Sequence, residues 1–95
     1  MLAFRCHRWM PYRDLGIEDI PVPQPGPGQV RIAVHYAGVS FATSLVTEGR
    51  YQRKPLLPFS PGTEIAGVIN AVGQDVTHLQ PGDRVCAGVG WGCHA

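Results

Sequence analysis

The stretch Pro61-Gly-Thr-Glu-Ile-Ala-Gly-Val-Ile-Asn-Ala-Val-Gly73 sits between two glycine-marked turns and is apolar at nearly every position from Glu64 to Val72. Ile65, Val68, Ile69 and Val72 are β-branched; such side chains are stiff in a helix and pack well on a pleated surface. The run is short for a helix, and its apolar residues fall on both faces. It is therefore predicted to be a buried strand. Gly62 and Gly67 flank and interrupt it, and glycine in a strand marks a bulge or the close passage of another backbone.

Upstream, Val30, Ile32, Val34 and Tyr36 alternate with Arg31, Ala33, His35 and Ala37. This period of two predicts a half-buried strand, with the first set facing the core. Ser40 to Gly49 reads as the one helix. The Ser40 hydroxyl can accept from a free amide of the first turn, and Gly49 can take the left-handed conformation that closes the last. Phe41 with Leu45, and Ala42 with Val46, form an apolar stripe at i, i+4. Downstream, Pro81-Gly82 has the residues of a type II turn, and Asp83 to Val89 reads as a last strand. Leu2 to Arg8 and Leu15 to Ile20 read as two more. Pro21-Val-Pro-Gln-Pro-Gly-Pro-Gly28 is a stiff connector, and Arg50 to Pro61 a proline-interrupted loop.

The chain has 95 residues, enough for one small domain, with 12 glycines and 9 prolines but no collagen period. Short strands between tight turns predict a mainly β barrel or sandwich. Net charge is +1, and the only basic cluster is Arg50, Arg53 and Lys54 beside Tyr51. That footprint argues against nucleic acid. Three cysteines, Cys6, Cys86 and Cys93, make no disulfide framework, which favours a reducing compartment and a cytoplasmic location. Cys86 is expected to be a buried strand residue and Cys93 an incidental thiol. No apolar run approaches the roughly 20 residues of a membrane span, and the N-terminus lacks a signal-peptide core.

Five segments, Pro25-Gly-Pro-Gly-Gln-Val30, Ala37-Gly-Val-Ser-Phe41, Pro61-Gly-Thr-Glu-Ile-Ala-Gly-Val68, Val72-Gly73 and Gly82-Asp-Arg-Val85, occur in a specific order and spacing. Through them the chain resembles the medium-chain dehydrogenase/reductase superfamily over essentially its whole length. The resemblance implies a GroES-like, partly open β-barrel with one short helix, forming the substrate-side domain over residues 1–95. It also implies a Rossmann domain further along the polypeptide that holds most of the NADP(H) or NAD(H), and a homodimer. The barrel of the family continues past Ala95, so this sequence is expected to be its front part. Gly90-Trp-Gly-Cys-His-Ala95 matches a dinucleotide loop in spacing alone. Such a loop must open a helix whose amides hold the pyrophosphate, and an acidic residue must follow.

The zinc-using branch of the superfamily has Cys where this chain has Ser40, and His where it has Thr63. A neutral hydroxyl is a poor zinc ligand, and only Glu64 of that set survives. Cys93 and His94 are neighbours, and no closely spaced cysteine pair exists to supplement them. The resemblance therefore points to the zinc-independent, quinone oxidoreductase-like branch. It implies hydride transfer from the nicotinamide to a small-molecule substrate, a quinone, enone or related carbonyl compound. Four positions match ones that line the pocket in quinone reductases: Ser40, Thr43, Leu45 and Tyr51. Where the family pattern has Asn and often Asp, this chain has the shorter Ser40 and Thr43. Ser40 can equally be only a helix cap, and Thr43 only a solvent-facing residue. Thr63 and Glu64 are placed near the site, with Glu64 expected to supply a structural hydrogen bond. His35 and His78 read as ordinary strand and loop residues. The rival readings are a non-catalytic GroES-like binding module derived from such an enzyme, and a chaperonin-type ring subunit. Against the second, no long apolar loop is visible.

Overall fold

Two antiparallel sheets account for every strand of the computed structural model, which describes residues 1–95. Strands β1 (Leu2–Arg5) and β2 (Gly16–Asp19) pair in one. In the other, β4 (Glu64–Val72) lies between β3 (Val30–Ala37) and β5 (Arg84–Gly88). The one α-helix, α1 (Phe41–Thr47), connects β3 to the loop that precedes β4. This is a mainly β, partly open barrel with a short helix, as the sequence predicts.

β4 owes its central position to its composition. Ile65, Gly67 and Ile69 are buried along one face, and Val68 and Val72 are half-buried. Gly67 is required here by close approach, since a Cβ would overlap the Ala33 carbonyl oxygen and lie 2.9 Å from Ile32 Cγ2. The Pro81-Gly82 turn before β5 has the expected form: Gly82 has φ +97°, and the Asp83 amide donates to the Gln80 carbonyl at 3.1 Å.

Register departs from strict alternation in β3. Val34 pairs with Gly67, but Tyr36 pairs with Ala66, leaving His35 as the extra residue of a bulge. A bulge shifts all following side chains to the other face. Tyr36 therefore leaves the face of Ile32 and Val34 and joins the cross-strand row Tyr36–Ala66–Cys86, where it is 78% exposed. This corrects the alternation read from sequence. β1 ends at Arg5 rather than Arg8, because Cys6 leaves the hairpin and pairs with Phe59 instead. Residues Tyr12–Asp14 form a 3-10 turn that the sequence pattern did not indicate.

The cysteines also exchange roles. Cys86 is exposed, on the outward row of β5, whereas Cys93 and Cys6 are buried. Cys93 is enclosed because its segment returns to pair with the Pro61-Gly62 turn: its amide donates to the Gly62 carbonyl at 3.2 Å, and that of His94 to Pro61 at 2.8 Å. A thiol reagent added to native protein is therefore expected to label Cys86 promptly. Cys6 and Cys93 should follow only on denaturation. Prompt labelling of all three by mass spectrometry would contradict this packing.

Candidate functional site

Ser40 builds the helix N-terminus. Its hydroxyl accepts from the Thr43 amide at 3.4 Å and lies 3.2 Å from Thr43 Oγ1. At the other end, the Gly49 amide donates to Val46 and the Arg50 amide to Leu45, with Gly49 at φ +70°. That pair of bonds is a Schellman motif, so both termini are closed as the sequence predicts.

The buried face of the helix takes only Val46 from the apolar stripe. Thr43, Val46 and Thr47 are buried, while Phe41 is 79% exposed. Threonine is tolerated there because each hydroxyl finds a local partner. Thr47 donates to the Ser44 carbonyl at 3.1 Å, and Thr43 pairs with Ser40. Thr43 is therefore not solvent-facing. Val46 joins Cys6, Leu15 and Phe59 in a core cluster against which Tyr51 and Tyr12 pack.

The structure brings Ser40 and Thr43 together and keeps Leu45 half-buried on the same helix. Tyr51 follows the helix, its body half-buried on the core. Val39 and Phe41, each 79% exposed, flank the exposed Ser40. Sequence patterning had assigned Phe41 to the core, and the structure places it outside. Thr63 accepts from the Val89 amide through its carbonyl at 2.7 Å. Glu64 opens β4, and its carbonyl accepts from the Gly38 amide at 3.0 Å. Its carboxylate lies over Gly38, where a Cβ would be 2.7 Å from Glu64 Cγ. No group of the chain hydrogen-bonds that carboxylate, so the structural hydrogen bond expected of Glu64 is made by its backbone alone.

A cluster beside this turn escaped the sequence reading. His94 Nδ1 is 3.0 Å from the Tyr12 hydroxyl, and His94 Nε2 is 2.9 Å from the Gly38 carbonyl. Both residues, with Val39, line an apolar cleft of about 350 Å³ that also contains Leu2, Phe4 and Ile17.

Burial pushes the Cys6 and Cys93 thiols and the Tyr12 phenol above their ordinary values, and the negative charge of Glu64 adds to the effect on Cys93. The fold thus prefers these groups protonated, and the unfolded chain releases the same protons at lower pH. Their contribution is complete below the unfolded thiol value of about 8.5 and is lost as pH rises through the folded values. Denaturant midpoints should be level between roughly pH 7 and 8 and fall above about pH 9. A rising midpoint in the alkaline range would contradict this.

A partly open barrel with a capped helix beside a Pro-Gly-Thr-Glu strand entry defines a known class of domain. The family model of the alcohol dehydrogenase GroES-like domain matches residues 26–95. This chain belongs to that family. Within the medium-chain dehydrogenase/reductase superfamily it falls in the quinone oxidoreductase-like branch. It is 49% identical over 72 residues to quinone oxidoreductase-like protein 2 of Rattus norvegicus, covering 75% of this chain and 20% of that one. It is also 49% identical over 67 residues to quinone oxidoreductase of Homo sapiens, covering 70% and 20%. The crystal structure of Escherichia coli quinone oxidoreductase complexed with NADPH superposes with a TM-score of 0.90 at 26% identity, covering 100% of this chain and 29% of that one. The chain thus spans about 20% of the length of the curated relatives it matches.

Proposed function

We propose that this domain forms the substrate side of a zinc-independent, NAD(P)H-dependent reductase of quinones, enones or related carbonyl compounds. The observation that carries this reading is the exposed Ser40 at a capped helix start, rimmed by the bare side chains of Val39 and Phe41. Such a rim suits a flat apolar ring with a polar edge.

The residues present fit one end of a nicotinamide cofactor. Ser40 would meet the nicotinamide edge, its hydroxyl held from behind by the buried Thr43, and Tyr51 would border the ring. No glycine-rich loop leads into a helix here to cradle a pyrophosphate, so another domain would hold that part. When bound, the reduced nicotinamide supplies hydride. The chain's own contribution is to orient the acceptor carbon against it and to exclude water with Val39 and Phe41. A proton would reach the reduced acceptor from solvent, directly or through the Ser40 hydroxyl, which solvent would reprotonate.

The donor set does not fit zinc. Ser40 and Thr63 offer only neutral hydroxyls, and both ring nitrogens of His94 are engaged by Tyr12 and Gly38. Free thiols throughout suit a cytoplasmic protein. The longer polypeptide carrying this domain is expected to oxidise NADPH in the presence of an ortho- or para-quinone, and to hold no stoichiometric zinc when purified without chelator. Absorbance assays and metal analysis test the two parts. No turnover with either nicotinamide across quinones and enones would refute the activity; one tightly held zinc per chain would refute the branch.

A further inference from the structure

We infer that His94, oriented by Tyr12, is a positioning residue that sets the place of Ser40 by clamping the Gly38 carbonyl. The inference rests on the reading of Ser40 as a nicotinamide-side residue. Only Gly38, Val39 and Ser40 join β3 to α1, so the placement of the Ser40 hydroxyl depends on how this short joint is held. Gly38 is fixed from both sides: its amide donates to Glu64 at the start of β4, and its carbonyl faces His94 Nε2 at 2.9 Å.

A carbonyl oxygen can only accept, so Nε2 carries the proton. In the neutral ring Nδ1 is then an acceptor, and the Tyr12 hydroxyl at 3.0 Å donates to it. Tyr12 thus selects the tautomer that grips Gly38. The rings meet edge to face at 88°, with centroids 5.7 Å apart, which resists rotation of the imidazole. His94 is itself anchored, its amide donating to Pro61 and its carbonyl accepting from Phe4 at 3.0 Å. Its ring lies against Gly62, where a Cβ would fall 2.7 Å from Nε2. Phe4, Tyr12 and the Pro61-Gly62 segment therefore all hold His94, the one side chain that grips the backbone carbonyl two residues from Ser40. A fold needing only a closed barrel has no use for a specified tautomer at that point.

The test uses the longer polypeptide with Tyr12→Phe, His94→Phe and His94→Gln. Tyr12→Phe removes one hydroxyl and keeps the ring, so it reports even where His94→Phe disturbs folding. His94→Gln keeps a donor at the same reach. Nitrogen-15 spectra of His94 should show the Nε2–H tautomer. Hydrogen exchange over residues 38–43 should quicken in both Phe variants and be restored in the Gln variant. Turnover per NADPH-titrated site should fall about fivefold in the Phe variants, the effect expected of one lost hydrogen bond, with the KM for NADPH unchanged and His94→Gln near wild type. An Nδ1–H tautomer, or unchanged exchange, overturns the clamp. Turnover insensitive to all three variants overturns the positioning role alone. Absence of any nicotinamide-dependent turnover overturns the functional reading and this inference with it, and the tautomer and exchange data separate that case from a failed clamp.

Discussion

Gly67→Ala is expected to remove most of the stability of this domain. Gly67 lies in the central strand with Val34 on one side and Val85 on the other, so its backbone has no free direction in which to withdraw. The added methyl would overlap the Ala33 carbonyl oxygen, which belongs to the neighbouring strand and cannot rotate aside as a side chain would. Overpacking of well-packed interiors costs about 1–3 kcal/mol, and an immovable backbone obstacle puts this case at the upper end. Small domains have margins near the lower end of roughly 5–15 kcal/mol, so that loss is a large share of the whole. Gly16→Ala is the control, because nothing lies within 4 Å of a Cβ there and the backbone is not left-handed. Denaturant titration should show a loss of about 3 kcal/mol for Gly67→Ala and under about 0.5 kcal/mol for Gly16→Ala. Equal stabilities would show that the strands do not approach as closely as described.

The contrast between these glycines shows what local sequence can carry. Features set by a few consecutive residues were legible: the Ser40 cap, the Gly49 closure, the Pro81-Gly82 turn and the apolar run of β4. The close approach at Gly67 was legible as well, because a glycine inside a β-branched run has few other uses. The bulge at His35 was not, since it is fixed by which residues of β4 face β3 rather than by β3 itself. The buried face of α1 was misread for a similar reason. Threonine hydroxyls satisfied within the helix behave as core groups, and only the packing partners reveal it. Tyr12 and His94, 82 positions apart, carry no local signature of their hydrogen bond. The candidate site was therefore legible as a segment, Ser40 to Tyr51, but the residues that hold the segment in place were not.

Tyr51→Ala is expected to lower kcat/KM roughly tenfold in the longer polypeptide, about 1.4 kcal/mol of transition-state stabilisation. Tyr51 packs against the core cluster and is only half-buried, which leaves part of its side chain available to a flat substrate or nicotinamide. Because that packing also contributes stability, Tyr51→Phe must accompany it: it keeps the ring, should fold as wild type, and isolates the hydroxyl. His78→Ala, at an exposed loop position, should leave the kinetics unchanged. Steady-state reduction of a para-quinone by NADPH, with rates normalised to folded protein, is the most direct measurement of whether the Ser40–Tyr51 segment faces the reaction. A roughly tenfold loss is expected for Tyr51→Ala and none for His78→Ala; a fully active Tyr51→Ala enzyme would show that the segment lies away from the reaction.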